Sequence, residues 1–409
     1  MTRLASQWIF TNYPWLLLIQ LLNRNNIFGL CLHFGKSGKF FRASQASGYF
    51  GSYTRNRQIM AKLNSFRLWL SKWTAWEYLP WSVATIPIVG FWLWFALRAR
   101  SLFFFSNVNP AIPLGGAIGE SKSDILKLLP PEISSKWVLV KPDESFDQVK
   151  EAMKLAGLEF PIIAKPDIGE RGFLVKKVDD EATLKTYLAK WQAPFILQEF
   201  LSEPMEAAIL FHQYPGESGQ FGITSICLKD FLKVKGDGQS SVRELMVKDT
   251  RSAFQLERFE RDFPDILGQI PKNGEEIILE LIGNHSRGTK FLNGNYLIEP
   301  KLTESFRRIC QKIEGVYYGR FDLKFQDFEA LKNGRFKTME LNGILAEPAH
   351  IYDPSHGIWR AYRDQFKHWK LLFKLHKAQR QLGIKPASFR EGYGIARGYY
   401  RYMGALNKV

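Results

Sequence analysis

An α+β fold behind a hydrophobic, membrane-associated N-terminal segment is what this sequence predicts. Residues 79–97, LPWSVATIPIVGFWLWFAL, hold nineteen positions without a charge. From Arg100 onward, short strand patterns alternate with amphipathic helical ones. At 409 residues the chain is long enough for two or three domains and a sizeable core.

Composition narrows the function classes. Hydrophobic residues make up 45% and charged residues 23%, which fits a globular protein and excludes fibrous or disordered classes. The formal net charge of +16 favours an anionic partner: a membrane surface, a nucleic acid or a phosphorylated substrate. No nucleic-acid motif is present, so nucleic acid is not expected. Cys31, Cys227 and Cys310 lie far apart and form neither a metal-ligand spacing nor a disulfide framework. That points to a reducing compartment.

The first elements are the least regular. Trp8 to Leu22 is apolar but interrupted by Asn12, Pro14 and Gln20, and Gly35 to Arg57 reads as loop. Met1 and Met60 are both open as the natural start, with residues 1–78 an N-terminal extension. A helix of about 20 apolar residues crosses the hydrocarbon core. The 79–97 run therefore predicts a span or re-entrant segment, with an interfacial or protein-buried helix as the other reading. Arg98 and Arg100 follow it as a cytoplasmic flank would. Pro80 and Pro87 argue against a straight helix.

Beyond Arg100, Ser101 to Phe105 predicts a short strand. Ser121 to Leu129 and Phe146 to Ala156 predict helices, stopped by Pro130 and Gly157 respectively. FPIIAKP (160–166), PFILQEFL (194–201), MEAAILFHQYP (205–215) and TSICLKDFLKV (224–234) read as strands. Asp179 to Trp191 reads as a helix, TKFLNGNYLIEP (289–300) as a strand and Thr303 to Ile313 as a helix. A long helix runs from His356 to Gly383. It carries a basic stripe of Arg360, Arg363, Lys367, Lys370, Lys374 and Lys377 beside an aromatic stripe of Trp359, Phe366, Trp369 and Phe373. A solvated face over a packed face accounts for this; so does docking on anionic lipid.

The chemistry concentrates in two strands. In TMELNGILAEP (338–348), Glu340 and Asn342 are two apart, so one strand face carries both while Met339 and Leu341 face a core. In YYGRFDLKF (317–325), Arg320, Asp322 and Lys324 share a face and Phe321, Leu323 and Phe325 the other. Antiparallel pairing would bring Asp322 to Glu340 and Asn342. Two carboxylates and an amide oxygen around one point need a cation, and such hard donors suit Mg²⁺ or Mn²⁺. Arg320 beside them fits a phosphate or a developing oxyanion. Upstream, Lys165 ends a strand and is followed by Gly169 and Gly172, a loop able to close over phosphate. The strand end Gln198-Glu199-Phe200-Leu201 offers backbone groups and an apolar patch for an adenine, and Glu206 follows it.

Taken in order, these motifs resemble the ATP-grasp superfamily, including D-alanine–D-alanine ligase and the ATP-grasp parts of cyanophycin synthetase and the ribosomal-protein glutamate ligase. The resemblance covers about Gly116 to Asp353. It implies an ATP-grasp fold, two α+β subdomains gripping ATP. By motif, Lys122 and Lys165 correspond to the phosphate lysines, Gln198 to Leu201 to the adenine hinge, and Glu206 to the ribose ligand. Asp322, Glu340 and Asn342 correspond to the metal ligands. Arg320 corresponds to the arginine at the reacting centre, and Arg287, in NHSRGTK, to a contact of the γ-phosphate. VKGDGQSSVRELM (234–246) resembles a segment of cyanophycin-type ligases, and also reads simply as a turn before a Ser-capped helix.

The expected layout is then a short, truncated pre-ATP-grasp region at 101–150 and the ATP-grasp domain at 151–355. The hydrophobic segment at 79–100 precedes them, and a basic amphipathic helix and tail at 356–409 follow. The final motif departs from the family pattern, and Glu347, His350, Tyr352 and Asp353 are expected to line the acceptor site. The activity implied is ATP-dependent, ADP-forming joining of a small carboxylate to an amine through an acyl phosphate. A kinase or thiol ligase of the same fold, and a non-catalytic ATP-binding membrane protein, are the alternatives. ATP is supplied in the cytosol, so the catalytic part is expected there, at a membrane surface.

Overall fold

The computed structural model describes residues 76–169, 174–190, 193–216, 220–280 and 283–406. Gly172 and the readings for residues 1–75 lie outside the described residues. The chain divides into two compact units, Met1–Gly90 and Phe91–Val409. In the first, a 3-10 turn at Trp76–Tyr78 leads into a helix. Everything else described here belongs to the second.

In chain order the strands are β1 (Trp137–Val140), β2 (Ile162–Pro166), β3 (Lys176–Val178), β4 (Phe195–Glu199), β5 (Met205–Gln213), β6 (Phe221–Asp230), β7 (Lys233–Lys235), β8 (Glu276–Ile278), β9 (Lys290–Asn293), β10 (Tyr318–Phe325) and β11 (Lys337–Asn342). The helices are α1 (Trp81–Ala99), α2 (Lys122–Leu128), α3 (Phe146–Leu155) and α4 (Glu181–Lys190), then the short α5 (Val242–Lys248), α6 (Thr250–Ala253), α7 (Leu256–Asp262) and α8 (Pro264–Leu267). They are followed by α9 (Pro300–Cys310), α10 (Phe328–Lys332), α11 (Ile358–Gln381) and α12 (Phe389–Leu406).

Two antiparallel sheets organise the second unit. One runs β1-β4-β2-β3, the other β11-β10-β5-β6-β9, with β7-β8 a separate ribbon. Each sheet has its own core. Ile162, Ala164, Leu197 and Phe195 of the smaller sheet pack with Val149 and Met153 of α3 and Leu184 of α4. Phe321, Leu323, Phe325, Ile209, Ile226 and Leu341 of the larger sheet pack with Leu302 and Phe306 of α9. The result is two α+β subdomains, as the ATP-grasp resemblance implies.

The alternation in β10 is strict: Phe321, Leu323 and Phe325 are buried, and Arg320, Asp322 and Lys324 are half-buried on the other face. The start of β10 is tied to the loop before α2 by Asn109. Its side chain is fully buried and saturates every polar atom. Nδ2 donates to the carbonyls of Gly115 (3.0 Å) and Tyr318 (2.7 Å), and Oδ1 accepts from the amides of Tyr317 (2.8 Å) and Tyr318 (3.0 Å). The same loop touches the chain just past β11: a Cβ on Gly343 would lie 2.5 Å from both the Gly115 oxygen and the Gly116 Cα. Only glycine permits that approach.

Three expectations need correction. Among the described residues no helix is long and apolar enough to cross a membrane. The span expected at residues 79–97 is therefore not supported. Freedom from charge is not the same as being apolar: Ser82, Thr85, Pro80, Pro87 and Gly90 dilute the run. The later turns of α1 also have protein partners. Trp92 is buried and donates its indole N–H to the Leu102 carbonyl (3.1 Å), and Phe95 packs against Phe366 and Phe373 of α11.

Ser101 to Phe105 does not form a strand; it turns into a 3-10 helix at Phe104–Asn107. Phe103, Phe104 and Phe105 are all buried, so they fill space on every side rather than alternating. Finally, the expected tail after α11 is itself a helix, α12, which brings Met403 and Tyr399 to the core of the smaller sheet. A Cβ on Gly392 would strike the Phe103 ring at 2.5 Å, so this one glycine lets the helix sit close to Phe103.

One histidine gives the fold a pH dependence. Burial holds His212 of β5 down at about 4, and the nearby His368 and Lys374 add to the effect. Its neutral form is the folded form, so its contribution is complete above the unfolded value near 6.5 and is lost as pH falls towards 4. At about 1.4 kcal/mol per unit, the loss approaches roughly 3 kcal/mol. Urea denaturation at pH 7 and pH 4.5 measures it. His212→Phe should lose distinctly less stability over that interval than wild type, and equal losses would refute the assignment.

Candidate active site

The site grows from the pairing of β10 with β11. Arg320 stands opposite Asn342, and Asp322 opposite Glu340. The register then slips: Leu323 faces Thr338, leaving Met339 as an extra residue in β11. This bulge reverses the parity expected upstream of Glu340. Thr338 rather than Met339 is buried, and the freed Met339 carbonyl points to new partners. Across the other edge, Arg320, Asp322 and Lys324 pair with Leu210, Ala208 and Glu206 of β5. Leu210 and Ala208 pair in turn with Ser225 and Cys227 of β6. Two residues further along β6 on the same face is Lys229. One face of the sheet therefore carries Arg320, Asp322, Glu340, Asn342, Glu206 and Lys229.

Charge is balanced closely on this face. Arg320 donates through Nε and Nη2 to the two Asp322 oxygens (3.2 and 3.4 Å) and through Nη1 to the Glu347 carbonyl (3.3 Å). The Asn342 amide lies 3.4 Å from Asp322 Oδ2. Lys229 pairs with Glu206 at 2.7 Å, with side chains only 7% and 4% exposed. Burial alone would raise the Asp322 carboxyl, but Arg320 and Lys229 outweigh it and hold the group below its usual range. Burial likewise opposes charge on Lys229, yet Asp322 and Glu206 push its ammonium above the ordinary lysine value. The chain passes tightly over the pair: a Cβ on Gly283 would lie 2.2 Å from Glu206 Oε1.

The smaller sheet supplies the facing groups. Lys165, in β2, is 7% exposed and donates to the Met339 carbonyl (3.1 Å). Burial pushes its ammonium down to about 8, against the pull of Glu340 and Asp322. Gln198, near the end of β4, donates to the same carbonyl (3.1 Å) and to the Ser135 hydroxyl. Both sheets therefore meet at the bulge, with Lys165 within the field of the two carboxylates.

The other expected residues are distributed around this centre. Lys122, at the start of α2, donates to the carbonyls of Gly169 and, at 3.5 Å, Asp167, which places it beside the loop after β2. Glu199 uses Oε1 to accept the Lys136 amide (2.8 Å). Phe200 lies between two ammonium groups, Lys177 at 5.1 Å and Lys324 at 5.9 Å from its ring centroid, and the Leu201 carbonyl accepts from Lys324 (3.2 Å). Arg287 lies 3.7 Å from Glu280, which also binds Arg258 (2.9 Å). Glu347 accepts from the Tyr352 hydroxyl (2.6 Å) and from Gln365 of α11 (3.1 Å). His350 is buried against Ser225 and Asp364.

Sequence reasoning did not single out Lys229 or Gln365. Lys229 was within reach: in TSICLKD it shares the parity of Ser225 and Cys227, so its strand face was fixed once that segment read as a strand. Gln365 carries no comparable signal, since only the path of the loop into α11 brings it to Glu347.

Asp322, Glu340 and Asn342 thus share one sheet face with Arg320 and Lys229, and Lys165 reaches the Met339 carbonyl beside them. Carboxylate and amide oxygens are the donor type that suits a hard divalent cation. No family model and no curated protein matches the chain. Among solved structures it is similar to the VanG D-Ala:D-Ser ligase from Enterococcus faecalis, with 13% identity over 62% of this chain and 61% of that one and a TM-score of 0.36. It is similar also to the D-alanine–D-alanine ligase from Bacillus anthracis, with 14% identity over 64% and 67% and a TM-score of 0.34. A third is a bifunctional glutathione synthetase from Pasteurella multocida, with 17% identity over 62% and 36% and a TM-score of 0.35. This chain thus spans about three fifths of the length of the VanG ligase. The fold itself is α+β, with two antiparallel sheets of four and five strands.

Proposed function

We propose that this chain is an ATP-dependent, ADP-forming ligase that joins a carboxylate to an amine. The observation that carries the reading is the placement of Asp322 directly opposite Glu340 and beside Asn342, on the sheet face towards which Lys165 reaches. Oxygen donors of this kind fit Mg²⁺ or Mn²⁺, and Asp322, Glu340 and Asn342 would hold it. When bound with ATP, such a cation screens the phosphate oxygens and stabilises the charge that develops on the transferred group. Lys165 and Lys122 bind phosphate oxygens from the side of the smaller sheet. Arg320, anchored on Asp322 and on the Glu347 carbonyl, holds its guanidinium at the reacting centre. The segment Gln198 to Leu201 receives the adenine, and Glu206 the ribose hydroxyls.

In this reading a substrate carboxylate oxygen attacks the γ-phosphorus, ADP leaves, and an acyl phosphate forms. The amine then attacks the acyl carbon, the acyl–oxygen bond breaks, and inorganic phosphate leaves with the amide. Phosphate release from Mg·ATP, screened over pooled amino acids and amines with ¹⁸O-labelled carboxylates, tests it. ADP and ¹⁸O-bearing phosphate should appear only when acid and amine are both present. A stable phosphorylated product would make the protein a kinase. A thioester product would make it a thiol ligase, and nucleotide binding without turnover would remove the catalytic reading.

A further inference from the structure

His350, His356 and Asp364 lie outside the set of oxygen donors just described, where the loop after β11 meets α11. Their ligand atoms all fall within 4.8 Å of one another. His350 Nε2 is 3.4 Å and His356 Nε2 3.2 Å from the same oxygen, Asp364 Oδ2. Metal–ligand legs of about 2.0–2.1 Å at a tetrahedral angle place neighbouring ligand atoms roughly 3.3 Å apart. The two imidazoles stand edge to face, with centroids 5.3 Å apart at 87°, so neither ring blocks the other's nitrogen.

The pattern of hydrogen bonds also points to an ion. His356 Nε2 is enclosed from water and, though 3.2 Å from Asp364 Oδ2, makes no aligned hydrogen bond there, and a buried ring nitrogen in that state is costly. The groups around the cluster hold its members as outer-shell partners hold ligands. The Ser225 hydroxyl, 2.7 Å from His350 Nδ1, can take that proton and leave Nε2 with its lone pair. Asp364 divides its two oxygens. Lys367 (3.0 Å) and Arg363 (3.5 Å) occupy Oδ1, leaving Oδ2 to the histidines.

We infer that His350, His356 and Asp364 bind a divalent transition-metal ion of the Zn²⁺ class. Two imidazoles and one carboxylate suit such an ion, whereas the all-oxygen set at Asp322 suits Mg²⁺. The site clamps the segment that bears Glu347 and Tyr352 onto α11, and so shapes the wall beside Arg320. It does not depend on the ligase reading.

The test is Zn²⁺ titration of the chelator-stripped full chain in excess Mg²⁺, read by metal content after gel filtration and by the absorption of a Co²⁺-substituted sample. Wild type should retain about one Zn²⁺ per chain. His356→Ala and Asp364→Asn should weaken binding by at least the 10- to 100-fold that loss of an outer-shell partner costs. Asp322→Asn should retain the Zn²⁺ fully. Failure of the folded wild type to retain Zn²⁺ would overturn the inference. So would equal retention by wild type and the His350→Ala/His356→Ala double variant, or loss of the ion in Asp322→Asn.

Discussion

Asp322→Asn and Glu340→Gln should each lower Mg·ATP turnover by on the order of 10² to 10³, the scale on which one positioned charge-stabilising group acts. Both substitutions keep the shape of the side chain and remove its charge. Asp322 is where the effect should be largest. It stands opposite Glu340, takes two bonds from Arg320 and sits in the field of Lys229. Its amide analogue loses a ligand charge and lets Arg320 swing from the reacting centre. Glu340 acts on Arg320 through its charge but takes none of these hydrogen bonds, so Glu340→Gln changes the ligand charge with less effect on the orientation of the guanidinium. Phosphate release with matched circular dichroism spectra reads both. Near-normal release by both variants would reject the assignment of the oxygen donors.

Lys229→Ala should destabilise the fold by about 3–5 kcal/mol, the cost of breaking a buried ion pair from one side. The Glu206 and Lys229 side chains are almost wholly enclosed, and Asp322 also leans on the ammonium. Removing the lysine leaves the enclosed Glu206 carboxylate without its cation and takes one of two nearby cations from Asp322. The Lys229→Met/Glu206→Gln double variant should recover part of the loss, since it removes both members of the pair. Urea denaturation at neutral pH measures this. A Lys229→Ala chain within about 1 kcal/mol of wild type would show that the charges on this sheet face are not coupled.

Much of this architecture is legible residue by residue because strands repeat every second position. Arg320, Asp322 and Lys324 on one face, with Phe321, Leu323 and Phe325 on the other, require no tertiary information. The pairing of that strand with Glu340 and Asn342 follows from antiparallel geometry. The bulge at Met339 does not, because an extra residue depends on what the neighbouring strand accommodates. Buried stretches lose the signal altogether: Phe103 to Phe105 look strand-like because they are aromatic, yet each fills a different part of one cluster. The charge-free run at 79–97 misleads for a related reason. Aromatic density serves packing against Phe366 and Phe373 of α11 as readily as it serves lipid. Arg287 shows the limit of motif order. Its loop keeps the arginine of the motif but has Thr289 where the second glycine would stand, and the guanidinium lies 3.7 Å from Glu280.

The central claim, that the charged face of the larger sheet binds Mg·ATP, is tested most directly by calorimetric titration of the full chain with a non-hydrolysable ATP analogue, with and without Mg²⁺. One equivalent should bind per chain, tightly only when Mg²⁺ is present, and both Lys165→Ala and Asp322→Asn should abolish the Mg²⁺-dependent gain. A chain that binds no nucleotide, or binds it equally well without the cation and in both variants, would contradict the account.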